Sequence, residues 1–468
     1  MDETAEKKTY SGIWWIPSEA DRVVHGTLTL EPFRLSTLRV TGLEETGNLH
    51  LDENPDCRII VGRAEGTDFT LIDVTSPSIP QSMEKLMVST TFDVGTVFAD
   101  AKWDKRKDVA FKELYIDFRR LTSWSKYEPF SWSTGDFESF TVSTKRSEIL
   151  FEDDSLSIEL SDWTGCWESH FPTEVYMKKR STIIFRSDTE QQFEAFFPYI
   201  EQMQSFLSMC LGIGVFPETI LGMSSARMIK SSKTGAPVSF PIKINTVHFR
   251  RYGADQLPNV TIPKFPISYD DIQGQTQTLL GKWIEQKDTF KDPRMLFLST
   301  LFSPQMYPEH KFLSCAQCIE VYHRVSSKYE QTLHKPDEYA HDLVTVGHAL
   351  EGTSMKKTRQ KEFVKKLEHG NTPSFENRID QILKRHDDVA PLIRRSFRRF
   401  AATVVGNRNY LTHYDPKPGF IPATPDELEI LTKSLGRLFY ICMIDELGLS
   451  AEFKSNVLHE LISWDLPS

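Results

Sequence analysis

Gly406-Asn407-Arg408-Asn409-Tyr410-Leu411-Thr412-His413-Tyr414-Asp415-Pro416 follows a long, strongly basic helical pattern and is closed by a proline. It joins an arginine, a polar residue directly after it, and a histidine after four intervening residues. Arginine carries a permanent planar charge suited to phosphate, and histidine holds or releases a proton near neutral pH. Of the 13 histidines, only His413 has an arginine five to seven positions before it. The set suits phosphodiester chemistry. Five helical residues turn through about 500°, which puts Arg408 and His413 about 140° apart on an ideal helix. One unbroken helix would not aim both at one phosphate. Gly406 and Pro416 offer a break or an early end; alternatively, two protomers contribute opposite members. Asn409 and His413, four apart, share a helical face.

Upstream, residues 356–399 hold thirteen Lys and Arg against six Asp and Glu, a balance of 13 − 6 = +7 in a chain whose net charge is −10. A helix is expected over Val389 to Val405. On it Arg394 and Arg398 share one face, as do Arg395 and Arg399, with Phe397, Phe400 and Val404 on the apolar side. Two uses fit these cations: a solvated, salt-bridged face, or phosphate contact with RNA through Lys384, Arg385, Arg394, Arg395, Arg398 and Arg399. The second gives affinity that is independent of sequence and sensitive to salt. Glu320, in Cys318-Ile319-Glu320-Val321-Tyr322-His323-Arg324, also has two readings. It is part of a polar rim on a core helix, or it holds Arg408 by an ion pair.

Further helices are expected over Asp271 to Lys287, Pro293 to Phe302, Pro308 to Tyr329, Lys356 to His369, Phe375 to His386, Pro425 to Leu447 and Ala451 to Ser463. Pro293, Pro308 and Pro425 fall at helix starts, where a missing N–H costs little. Leu333 to Ser354 has weak periodicity and is expected to be a loop. Leu438, Phe439, Ile441 and Met443 are available for a core or for a subunit interface.

From Tyr10 to Arg186 the period is two. Val24 to Leu30, Phe69 to Val74, Phe111 to Phe118, Phe140 to Ser143, Ser155 to Leu160 and Ser181 to Phe185 read as short strands punctuated by turn residues. That pattern predicts an antiparallel sandwich-like or barrel-like sheet. Thr189 to Leu211 changes to helical steps through Phe193, Phe196, Phe197, Ile200, Met203, Leu207 and Cys210. Strand character returns at Val238 to Arg251. Pro258, Pro263 and Pro266 then mark a connection. The expected fold class is α+β, with a β-rich domain over 1–255, a Pro-rich linker over 256–270, and an all-α bundle over 271–468.

Arg408-Asn409-x3-His413 in a helical C-terminal half resembles the signature of HEPN domains. With the opening Tyr10-Ser11-Gly12-Ile13-Trp14-Trp15-Ile16-Pro17 and the strand repeats after it, the chain is similar to the ApeA family of anti-phage defence proteins. The resemblance implies a C-terminal HEPN bundle acting as a metal-independent endoribonuclease toxin in abortive infection. Arg408, Asn409 and His413 would be its catalytic residues. It implies a homodimer or higher homo-oligomer that forms the active cleft between protomers. It also implies an RNA substrate such as tRNA or mRNA, no cofactor or metal, and a phage-derived trigger acting on the N-terminal domain. A non-catalytic HEPN module that binds RNA or a partner is the alternative, although such modules commonly lack the Arg/His pair.

Residue chemistry supplies a mechanism. RNA carries its own nucleophile, the 2′-hydroxyl; attack on the adjacent phosphate leaves a 2′,3′-cyclic phosphate and a 5′-hydroxyl. His413 would move the proton, Arg408 would stabilise the charge of the transition state, and Asn409 would orient substrate or histidine.

At 468 residues, with 39% hydrophobic and 12% aromatic content, the chain is long enough for two or three folded domains. No phosphate-binding Gly-x4-Gly-Lys-Ser/Thr or dinucleotide Gly-x-Gly-x2-Gly fingerprint is present. Cys315 and Cys318 form a lone Cys-x-x-Cys on a helical pattern and are expected to pack as small apolar groups. Met1 to Lys8 lacks an apolar signal core and no run is long enough to span a bilayer, so a cytoplasmic location is expected.

Overall fold

The structure, a computed structural model, describes residues 7–31, 34–42, 58–75, 88–133, 139–142, 145–168, 175–230, 237–249, 264–394, 397–414 and 419–463. Its contacts divide the chain into two compact units, Met1–Ile284 and Glu285–Ser468.

In the first unit, period-two segments become strands, because alternate residues point to opposite faces and only one set can be buried. β1 (Lys8–Trp15), β2 (Val24–Leu30), β3 (Ser36–Gly42), β4 (Ile60–Ala64), β5 (Thr67–Thr75) and β6 (Val88–Ala99) pair antiparallel in the order β6-β3-β2-β1-β4-β5. The β5–β6 pairing then closes the barrel. Its interior is filled by residues such as Trp14, Leu28, Leu38, Ile60, Phe69, Leu71, Phe92 and Val94. Gly62 is required beside the Trp14 indole, since a Cβ there would overlap the ring.

The sheet branches at β6. Residues 88–94 pair with β3, and residues 96–99 pair along the same edge with β16 (Ile242–Thr246). From that branch the sheet continues through β13 (Pro217–Met223), β7 (Ala110–Phe118), β12 (Val175–Gln192), β11 (Ser157–Glu168) and β10 (Lys145–Glu152). Two short hairpins, β8 (Phe130–Ser133) with β9 (Ser139–Val142) and β14 (Met228–Lys230) with β15 (Pro237–Ser239), stand apart from it. The expected sandwich-like sheet is therefore a closed barrel continued by an open one.

Strand β12 persists to Gln192, so the helix expected from Thr189 starts later, as a 3-10 turn over Phe193–Phe196 and then α2 (Phe197–Leu211). Phe193 stands T-shaped against Phe98 and Phe111, which are tilted by 30° to each other, with centroids 5.5–5.8 Å apart. α1 (Leu121–Trp124), α3 (Tyr269–Ile272) and most of α4 (Thr276–Glu285) also pack in this unit. Trp124 Nε1 donates to Ile267 O at 3.0 Å, and the Trp124 and Tyr269 rings stand 5.3 Å apart. Trp283 Nε1 donates to Ser205 Oγ at 3.1 Å. Helical periodicity grouped Asp271 to Lys287 with the bundle, whereas the contacts place residues up to Ile284 in the first unit. Most of the proline-rich connection, 256–263, lies outside the described residues.

The second unit is helical: α5 (Lys291–Phe302), α6 (Pro308–Val325), α7 (Pro336–Glu351), α8 (Lys357–Leu367), α9 (Phe375–Arg385), α10 (Ala390–Arg394), α11 (Phe400–His413), α12 (Pro425–Leu447) and α13 (Ala451–Ser463). α12 opens on a capping box between Thr424 and Glu427 and ends at Gly448 with φ 79°. Its Leu438, Phe439, Ile441 and Met443 are all buried in the protomer's own core. That settles them as core rather than interface. Cys315 and Cys318 are likewise buried, and burial pushes both thiols up.

The loop expected over Leu333 to Ser354 is instead the helix α7. The run Val344-Thr345-Val346-Gly347 lowers its helix propensity, while Tyr339, Leu343, Val346 and Leu350 recur at helical steps as a half-buried stripe, with no residue fully buried. It is anchored to its neighbour at both ends, by Tyr339 Oη on Leu367 O and by Gln360 Nε2 on Leu350 O at 2.7 Å.

Candidate active site

Phe400, Val404 and Asn407 recur at helical steps, and all three are buried along α11. Asn407 is the polar member of that stripe, and both its amide nitrogen and its amide oxygen have a partner. Its Nδ2 donates to Thr403 O at 2.9 Å, and its Oδ1 accepts from Ala423 N at 2.8 Å. The chain returning towards α12 is thereby pinned to the motif helix. Of the alternatives the sequence left open, a break at Gly406 is not the one present. Gly406 provides a gap for Phe420, whose Cε2 would lie 2.5 Å from a Cβ at position 406. α11 runs intact to His413 and stops where Tyr414 takes a left-handed conformation, φ 51°. Pro416 lies outside the described residues.

Because the helix is unbroken, Arg408 and His413 remain about 140° apart around it, with Asn409 on the arc between them. The Arg408 guanidinium is held on three sides. Nη2 donates to Glu320 Oε2 at 2.9 Å, Nη1 donates to Asn409 Oδ1 at 3.2 Å, and the group lies 5.7 Å from the Phe375 ring centroid. Of the two readings of Glu320, the ion pair is the one present. Its side chain is 13% exposed, whereas that of Arg408 is 37% exposed and still faces solvent. The second carboxylate oxygen of Glu320 accepts from Arg324 Nη2 at 2.6 Å. His413 is exposed at the helix end, and among the described residues no hydrogen bond or ion pair engages its ring.

Behind this array lies a buried network that sequence inspection missed. Arg378 Nη1 donates to Gln331 Oε1 at 2.9 Å and meets His323 Nδ1 at 2.7 Å; His323 Nε2 meets Gln381 Oε1 at 2.6 Å. Burial holds His323 below its ordinary value, so it serves as a neutral acceptor for Arg378. Phe375, Arg378 and Gln381 share α9, whose apolar stripe of Ile379, Ile382 and Leu383 fixes its rotation. The available signal was Arg378, one cation on that stripe.

The basic helix expected over Val389 to Val405 is not continuous. α10 ends at Arg394, Phe397 to Arg399 form a turn, and α11 starts at Phe400. Arg394 and Arg398 therefore do not share a helical face; Arg395 lies outside the described residues. Like charges four apart oppose helix continuation, by a few tenths of a kcal/mol per pair. Arg394, Arg398, Arg399 and Lys384 are exposed. Arg385 Nε instead pairs with Asp445 Oδ2 at 3.2 Å. Asp445 also binds Lys328 at 2.6 Å and Lys454 at 3.2 Å. Burial would raise the Asp445 carboxyl, but these lysines hold it far below the usual range.

A β-barrel unit followed by a helical unit, with an Arg-x4-His motif ending one helix and braced by a glutamate from another, defines a two-part protein of the HEPN class. Residues 313–453 match the family model described as Apea-like HEPN, and residues 9–283 match ApeA N-terminal domain 1. The latter match covers more than half of the sequence, and the chain belongs to the ApeA-like family. At the level of the family, this is a defence-associated HEPN protein. No curated protein and no solved structure matches it. Among the described residues, no helix is long and apolar enough to cross a membrane.

Proposed function

We propose that the chain is an anti-phage endoribonuclease that cuts RNA through the 2′-hydroxyl without a metal, and that its β-rich domain gates this activity in response to an infection signal. The observation that carries the proposal is the restrained Arg408 guanidinium, whose remaining exposed edge offers paired donors to a phosphate. Attack of the 2′-oxygen on phosphorus breaks the bond to the 5′-oxygen. His413 takes the 2′-hydroxyl proton or supplies one to the departing 5′-oxygen. Arg408 neutralises the added charge on the phosphoryl oxygens, Asn409 orients it from the neighbouring position, and Glu320 is a positioning residue behind it. The angular spread on an intact helix favours a homodimer in which each phosphate meets Arg408 of one protomer and His413 of the other. Lys384, Arg394, Arg398 and Arg399 supply phosphate contacts outside the centre.

The test is RNA cleavage by the purified full chain in EDTA, with the product ends identified. Cyclic phosphate and 5′-hydroxyl ends are expected from the wild type. His413→Ala is expected to lose about 10² to 10⁴ in rate while RNA affinity stays nearly intact. A folded His413→Ala protein that cuts at the wild-type rate refutes the assignment. Binding without cleavage by the wild type favours the non-catalytic module.

A further inference from the structure

A cleft opens beside the motif helix, on a face that none of the roles above uses. It has a volume of about 350 Å³. Tyr307, Glu309 and His310 from the start of α6 form one wall, and Tyr410, Leu411 and Tyr414 from the end of α11 form another. Four rings border it. Tyr410 and Tyr414 stand 5.8 Å apart, and Tyr307 and His310 stand 6.1 Å apart. Tyr307 is 73% exposed and Tyr414 71%, a large display for aromatic rings. Among the described residues, no lysine or arginine lines the cleft, and its single charge is the Glu309 carboxylate. Among the described residues, no hydrogen bond or ion pair engages that carboxylate. Tyr414 adjoins His413 in sequence, and Tyr410 lies about 60° from His413 around the helix.

We propose that this cleft stacks one nucleobase of a single-stranded RNA, next to the phosphate that His413 serves, and that Glu309 selects guanine there. The proposal rests on the reading of the motif as an RNA site. Aromatic rings with free faces stack bases of any sequence, and the volume falls at the lower end for a small-ligand pocket, which suits one nucleoside. Among the described lining residues the only charge is a carboxylate, which disfavours a phosphate. A carboxylate accepts hydrogen bonds only. Guanine presents two adjacent donors, N1–H and N2–H₂, on its pairing edge, whereas uracil flanks a single donor with two acceptors. Guanine is therefore bound best and uracil worst.

The test uses 2′-fluoro pentanucleotides of the form CCNCC, with N as G, A, C or U. They lack the 2′-nucleophile, so binding to the full-length protein is measured separately from cleavage. Wild type is expected to bind the G form tightest and the U form weakest. Tyr307→Ala/Tyr414→Ala is expected to lose about 5- to 150-fold affinity for all four, as for one unstacked base, and the Tyr307→Phe/Tyr414→Phe protein regains most of it. Glu309→Gln brings the G to U ratio close to one. Unchanged affinity in a folded double-alanine variant overturns the proposal. So does loss of self-association in that variant, seen by sedimentation, with RNA affinity retained; the rings would then be a protein contact. If these affinities behave as expected while wild type cuts no RNA, the cleft stands and the nuclease reading falls.

Discussion

Glu320→Gln separates positioning from bulk electrostatics at the motif. The wild-type carboxylate serves two guanidinium groups, one on each oxygen: Arg408 at 2.9 Å and Arg324 at 2.6 Å. Glutamine has the same shape but one acceptor oxygen, so whichever arginine it keeps, the other faces an amide N–H₂ donor. A hydrogen bond between charged groups contributes about 1.5–3 kcal/mol. Arg408 is 37% exposed and Arg324 56%, so solvent screens much of this. The expected stability loss is thus about 1 kcal/mol, visible as a small fall in the urea midpoint with unchanged slope. The effect on turnover is larger. A guanidinium freed to shift by about 1 Å costs up to about 10²-fold in rate, so kcat is expected to fall about 10- to 100-fold. On the proposed reading KM changes little, since phosphate contacts outside the centre would supply most of the binding. A quenched fluorescent RNA assayed in EDTA over a range of substrate concentrations separates the two constants. Wild-type kcat in a folded Glu320→Gln protein refutes the positioning role; an equal loss in KM alone makes Glu320 part of substrate binding.

Gly406→Ala is expected to destabilise the helical unit by about 1–3 kcal/mol, because its Cβ would meet the Phe420 ring at 2.5 Å; an unchanged melting temperature would show that Phe420 moves aside without loss. Stability should also fall as pH drops from about 6.5 to about 4. Burial, only partly offset by Asp445, lowers buried His386 to about 4, and His323 shifts in the same direction, so the unfolded chain takes up protons there that the folded chain refuses. For His386 alone this amounts to about 3 kcal/mol, and His386→Leu should flatten the curve in that window, since neither ring nitrogen has a partner among the described residues. Replacing Arg398 and Arg399 with alanine should weaken RNA binding and reduce the slope of log K against log salt by about one per lost phosphate contact; an unchanged slope would assign these arginines to the solvated surface.

The sequence by itself determined much of the secondary structure, because hydrophobic period is a local property. Period two over Val24 to Leu30 and Phe69 to Val74 required strands, and proline at Pro308 and Pro425 set where α6 and α12 begin. The Arg408/His413 spacing set their divergence only once the structure showed α11 intact from Phe400 to His413. Tertiary structure decided what that spacing could not contain. Barrel closure depends on β5 meeting β6, and two strand edges carry no local sign of which partner they will find. Glu320 pairs with Arg408 across 88 residues, a contact set by how α6 packs on α11. Gly406 was legible only as a weak point in a helix until Phe420 was seen to fill the space beside it. α7 escaped notice because Val344 to Gly347 is a poor helix former inside a stripe that is only half-buried, and the basic helix was drawn too long because helical period does not show that α10 ends at Arg394 and α11 begins at Phe400. Period and spacing act between neighbours along the chain; closure, pairing and the shape of the cleft depend on residues that only folding brings together.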